Sequence, residues 1–102
     1  TNSKYFSMAK IYISGKITGL DNFRSVFLSA ENSLSKQGFT VINPCNLPEY
    51  HDKTWKSYMK EDLKALKECE YIFMLNNWTD SKGAKVEHWF AKRYGKKIIY
   101  QP

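Results

Sequence analysis

The segment YIFML, Tyr71–Leu75, is an unbroken apolar run of strand length. A run with no polar alternation suits a central parallel strand covered on both faces, and that reading decides the fold. Working outward, Thr54 is a cap for a helix with Trp55, Tyr58, Met59, Leu63 and Leu66 on one side and lysines on the other. Downstream, SKGAKVEHWFAKRYGKK (Ser81 to Lys97) supplies a helix opened at Gly83, and KIIY (Lys97–Tyr100) a last strand. Upstream, KIYIS (Lys10–Ser14) reads as a strand closed by Gly15. From a cap at Asp21 or Asn22, Phe23, Val26, Phe27, Ala30 and Leu34 recur at helical spacing up to Gly38. FTVI (Phe39–Ile42) is the second strand, ended by Asn43-Pro44 and a long polar loop, NPCNLPEYHDK.

The order β-α-β-α-β-α-β predicts an α/β fold: a parallel four- to five-stranded sheet flanked by helices with right-handed crossovers, a Rossmann- or flavodoxin-like three-layer sandwich. The chain of 102 residues is long enough for one core and too short for a second. Residues 10–102 are expected to form that domain, and residues 1–9, which lack periodicity, an extension or a remnant of expression. No apolar run approaches the roughly 20 residues of a bilayer span, which argues against a membrane protein. Cys45 and Cys69 lack metal-ligand spacing, so they read as free thiols in a reducing, cytoplasmic setting, with no metal and no cofactor expected. The net charge of +6 is spread over scattered lysines without a dense block or a recognition element. It reads as solvated faces plus attraction for a small anionic ligand, and a nucleic-acid-binding module ranks last.

In such sheets ligands bind beyond the carboxyl ends of the strands. SGKITG (Ser14, Gly15, Lys16, Ile17, Thr18 and Gly19) lies there, and its backbone N–H groups with Lys16 could cradle a phosphate. An ordinary glycine-containing βα turn explains the same residues. Ser81 and Gly83, at the start of the third helix, form a second candidate anion site under the same alternative.

Glu87 lies three residues after Ala84 and four before Ala91, on a stripe of small side chains suited to close packing on a sheet. A carboxylate withdrawn from water is costly, and enzymes use such groups as nucleophiles or acid–base catalysts. The alternative rotation turns Val86, Trp89, Phe90 and Arg93 inward and leaves Glu87 solvated; periodicity does not choose between them. Asp62, in EDLKAL, looks on pattern alone like part of an acidic helical surface. Trp55, Tyr58 and Trp78 are candidates to stack on a nucleobase, Trp78 foremost because it lies at the carboxyl edge, or else core or dimer contacts. His51 reads as an exposed loop histidine before it reads as a ligand. His88 points about 100° away from Glu87 on a helix and is not expected to share its site.

KIYISGKITG, the aspartate of MKEDLKAL, and SKGAKVE followed by a helix and KKIIY, in this order and spacing, resemble the nucleoside 2-deoxyribosyltransferase-like superfamily. That superfamily includes the deoxynucleoside 5′-monophosphate N-glycosidases; the resemblance is nearest to a group of small, uncharacterised, often phage-encoded members and runs from about Lys10 to Tyr100. It implies Glu87 as the nucleophile at the anomeric carbon, Tyr12 as its hydrogen-bonding partner, and Asp62 as the group assisting departure of the base. It implies that the first glycine loop and Ser81, six residues before Glu87, hold a 5′-phosphate. The hydrolases carry a serine and an arginine where this chain has Lys16 and Thr18, and the family's usual glycine two residues after the nucleophile is Trp89 here. The implied function is an N-glycosidase or deoxyribosyltransferase acting on a (deoxy)nucleoside 5′-monophosphate or related nucleotide, in a homodimer, in the cytoplasm or, if phage-encoded, the host cytoplasm. The competing expectation is a non-catalytic protein that sequesters a signalling nucleotide in phage counter-defence.

Overall fold

The computed structural model describes residues 9–47 and 54–102. Four strands, β1 (Lys10–Ser14), β2 (Thr40–Ile42), β3 (Tyr71–Met74) and β4 (Lys97–Tyr100), form one sheet of order β2-β1-β3-β4, and every pair is parallel. Three α-helices connect them: α1 (Phe23–Lys36), α2 (Trp55–Lys67) and α3 (Lys82–Arg93). The chain steps outward from β1 to β2, then returns across β1 to β3. The strand order therefore reverses between β1 and β3, which makes their carboxyl ends the switch point where ligands bind in open α/β sheets.

Alternation along the strands builds the two cores. Ile11 and Ile13 of β1 join Phe73 and Leu75 beneath Phe27, Ala30 and Leu34 of α1. On the other face Tyr12, Ile72 and Met74 meet Leu66 of α2 and Ala84 and Ala91 of α3. The result is a three-layer sandwich with α1 on one side and α2 and α3 on the other. Both faces of β1 and β3 are buried, hence their nearly continuous apolar sequence.

The elements begin and end for local chemical reasons. Thr54 Oγ1 accepts the Ser57 N–H at the start of α2, and Ser81 Oγ accepts the Ala84 N–H at the start of α3. Gly38 (φ 100°) and Gly95 (φ 71°) turn the chain just beyond α1 and α3, a conformation L side chains resist. β2 begins at Thr40, one residue later than expected, because the Phe39 N–H goes back to the Leu34 carbonyl and closes the end of α1. Leu75 lies outside β3 but extends its pairing, donating to the Ser14 carbonyl at 2.8 Å. Gly15 has a steric reason: a Cβ there would lie 2.5 Å from Leu75 Cδ1 and 2.9 Å from its Cβ. None of the helices among the described residues is long and apolar enough to cross a membrane.

Candidate active site

Period-two alternation sends Tyr12 and Ser14 to the face of β1 covered by α2 and α3. On α3 the buried stripe is Ala84, Glu87 and Ala91, while Trp89 is 61% exposed; the helix sits in the rotation that turns Glu87 inward. The alanines let α3 approach the sheet closely, and Glu87, 5% exposed, meets two hydroxyl groups there. Tyr12 Oη donates to Oε2 at 2.6 Å, and Ser14 Oγ donates to Oε1 at 2.6 Å. These are lengths typical of O–H groups bonded to a charged carboxylate. Both hydroxyls are fully buried, and no buried side-chain nitrogen or oxygen among the described residues lacks a partner.

Asp62 approaches from α2. It contacts the Tyr12 hydroxyl and, with Glu87, lines a cavity of about 330 Å³ at the carboxyl edge of the sheet. Burial, and then the charge of Asp62, raise the Glu87 pKa from 4.5 to about 8, against the pull of the Ser14 and Tyr12 bonds. Burial, and then neighbouring Glu61, raise Asp62 from 3.8 to about 7, with Tyr12 opposing. Burial also holds the Tyr12 phenol well above its ordinary value. Near neutrality the two carboxyl groups behave as a coupled pair that retains a proton.

The cavity wall brings together several of the expected residues. Gly15, Ile17 and Thr18 come from the first loop, and Ser81 and Gly83 from the start of α3. Ser81 spends an oxygen lone pair on its helix, which leaves the O–H proton for a ligand. Gly83 leaves room: a Cβ there would be 3.1 Å from Met59 Sδ. Phe23 and Arg24 from α1, Cys45 from the β2–α2 connection, and Trp55 and Tyr58 from α2 complete the apolar and basic parts of the wall.

Four expected ligand contacts are placed elsewhere. Ser14 is sealed from the cavity and bonds to Glu87 instead. The Lys16 N–H is taken by Asn77 Oδ1 at 2.9 Å, and its side chain lies by Gly19, 3.9 Å from where a Cβ of that residue would stand; neither residue lines the cavity. Trp78 does not line it either. The chain leaves β3 through a 3₁₀ turn, Trp78–Asp80, that lays the indole on the His88 ring, with centroids 4.2 Å apart. His88 in turn pairs with the Tyr100 hydroxyl at 2.8 Å, away from Glu87. The aromatic wall is provided by Trp55 and Tyr58, which the sequence offered behind Trp78. Arg24 was not singled out from the sequence; its place one residue after Phe23 in the first turn of α1 was the available signal. His51 lies outside the described residues. Among those described, no group of three His, Cys, Asp or Glu is arranged to hold a metal ion.

Residues 9–100 match the family model described as Domain of unknown function (DUF4406). No curated protein matches the chain. A solved structure reported as a characterised 2-deoxyribosyltransferase from the psychrotolerant bacterium Bacillus psychrosaccharolyticus superposes with a TM-score of 0.69. The two chains are 25% identical, over 90% of this chain and 71% of the other. The chain belongs to the DUF4406 family, within the nucleoside 2-deoxyribosyltransferase-like superfamily.

Proposed function

We propose that the protein cleaves the N-glycosidic bond of a (deoxy)nucleoside 5′-monophosphate or related nucleotide, with Glu87 as the nucleophile. The observation that carries this reading is Glu87 itself: a carboxylate buried at the switch point of the sheet, held by two hydroxyl groups, and opening on the cavity that Asp62 shares. A structural carboxylate so placed would cost stability with no return. The likeness to a 2-deoxyribosyltransferase supports the same chemistry.

In the proposed reaction a Glu87 oxygen attacks C1′ from below as the C1′–N bond breaks, and that bond's electron pair leaves with the base. Asp62 supplies the proton the departing nitrogen needs. Water, or the N–H nitrogen of a free acceptor base, then attacks C1′ and gives its proton to Asp62 as the C1′–O bond to Glu87 breaks, which frees the carboxylate. The positive charge that develops on the sugar forms beside Glu87, where little water screens the attraction.

Ser81, Thr18 and the start of α3 are the proposed contacts for a 5′-phosphate, and Arg24 is the cation of the described cavity wall. Trp55 and Tyr58 offer the base an aromatic surface. The reading includes a homodimer, supported by exposed Trp89 and Tyr94 on and beside α3, and a reducing compartment, supported by the free thiols of Cys45 and Cys69.

The test is chromatography of free base after incubation with deoxynucleoside monophosphates, deoxynucleosides and NAD-like dinucleotides, with and without acceptor bases. The expected result is release or exchange of base from at least one of them. If none is turned over and one binds tightly by calorimetry, the protein is a nucleotide-sequestering module instead.

A further inference from the structure

Ser14 has a role that the glycine loop does not explain. Its side chain is wholly buried on β1, and its hydroxyl meets one oxygen of Glu87 while Tyr12 meets the other. A hydroxyl carries one proton. The Tyr12 proton goes to Oε2 and the Ser14 proton to Oε1, so both Glu87 oxygens act as acceptors. A protonated Glu87 would need to donate from one of them, and a hydroxyl would have to turn away. Tyr12 also faces Asp62, where its hydroxyl favours the ionised carboxyl group as it does at Glu87, so Tyr12 does not choose between the two.

We infer that Ser14 is a positioning residue: by occupying the second oxygen of Glu87 it shifts the negative charge of the carboxyl pair towards Glu87 and the proton towards Asp62. The asymmetry comes from Ser14 because Tyr12 faces both carboxyl groups, whereas Ser14 bonds to Glu87. Burial favours the opposite arrangement, since Glu87 is the more deeply enclosed, and with both bonds made Glu87 stands at about 8 against about 7 for Asp62; without Ser14 the gap would be wider. Of the two bonds that offset this burial, the one from Ser14 is the larger. The groups facing Glu87 are Tyr12 and Ser14 from β1 and Asp62 from α2. The catalytic consequence rests on the proposed function, because a nucleophile must be ionised and a leaving-group acid protonated in the same molecule.

The experiment is a ¹³C NMR titration of the Glu87 and Asp62 carboxyl groups in wild type, Ser14→Ala and Ser14→Cys, the last keeping the volume with a weak donor. We expect the Glu87 midpoint to rise by about one pH unit in both variants, and that of Asp62 to fall. An unchanged Glu87 midpoint, or midpoints that fall together as general loosening would produce, overturns the inference. Where base release is measurable, the acidic limb of its pH profile should move up with the Glu87 midpoint, and a limb that stays put also counts against it. A wild type that titrates as expected but turns over no nucleotide refutes the proposed function and leaves the role of Ser14 standing.

Discussion

Tyr12 and Glu87 stand 75 residues apart in the chain and 2.6 Å apart in the fold, phenol to carboxylate. The bond ties the first strand to the last helix across the point where the strand order reverses. It is formed among the apolar side chains of Ile72, Met74, Ala84 and Ala91, with the buried Ser14 hydroxyl on the other oxygen of the same carboxylate.

The carboxyl pair should give base release a bell-shaped pH profile. Asp62 is raised to about 7 and Glu87 to about 8, and the two titrate as one pair: when both carboxyl groups are protonated the nucleophile is lost, and when both are ionised no proton remains for the departing base. The expected maximum lies between those two limits. Asp62→Asn should lower kcat by about 10²–10⁴-fold and remove the alkaline limb, measured with a natural base; a leaving group that needs no proton should recover much of the loss.

Stability should move with pH in a definite direction. Glu87 and Asp62 ionise near 4 in the unfolded chain but near 8 and 7 in the folded one, so between those values the folded protein holds more protons. Their contribution is fully present below about pH 4 and is lost as pH rises through the folded values. Glu87→Gln should therefore be more stable than wild type at pH 8, by about 1–3 kcal/mol, with the gap narrowing towards pH 4. Urea melts across that range measure it.

Two aromatic substitutions separate wall from scaffold. Trp55→Ala should weaken nucleotide binding by about 1–3 kcal/mol with little change in melting, because Trp55 is half-exposed on the cavity wall. Trp78→Ala should lower the melting temperature and leave affinity nearly unchanged, since its ring packs on His88. Calorimetry and thermal melts on both variants decide the matter.

The legibility of these features in the sequence followed a physical pattern. YIFML and the helical stripes were readable because burial imposes period and composition on every residue of an element. Glu87 was ambiguous by periodicity, since both rotations of α3 offer an apolar face; the resemblance and the packing of Ala84 and Ala91 select one. Ser14 was grouped with the loop that follows it, although period two puts it on the same face of β1 as Tyr12. Lys16 and Trp78 lie at the right edge of the sheet, but backbone turns set by Asn77 and the 3₁₀ segment decide where their side chains go, and composition does not encode those turns.

Gly15→Ala should destabilise the fold by about 1–3 kcal/mol, because Leu75, 1% exposed, has no space to retreat from the added methyl group. Gly83→Ala, facing the flexible Met59 thioether at the cavity rim, should cost less. Denaturant midpoints of the two variants give the comparison.

Trp89 should belong to the subunit contact of the proposed homodimer, since it is 61% exposed and lines an open groove with Val86, Lys82 and Lys85. Sedimentation should show a dimer for wild type and a shift to monomer for Trp89→Ala, with the far-UV spectrum unchanged.

In the proposed reaction Glu87 captures the sugar covalently. Rapid quenching of wild type during turnover, followed by intact-mass and peptide mass spectrometry, tests it most directly. A transient adduct of one sugar (or sugar phosphate) is expected on the peptide containing Glu87, and neither adduct nor base release in Glu87→Ala. Base release that persists in Glu87→Ala would contradict covalent capture by Glu87.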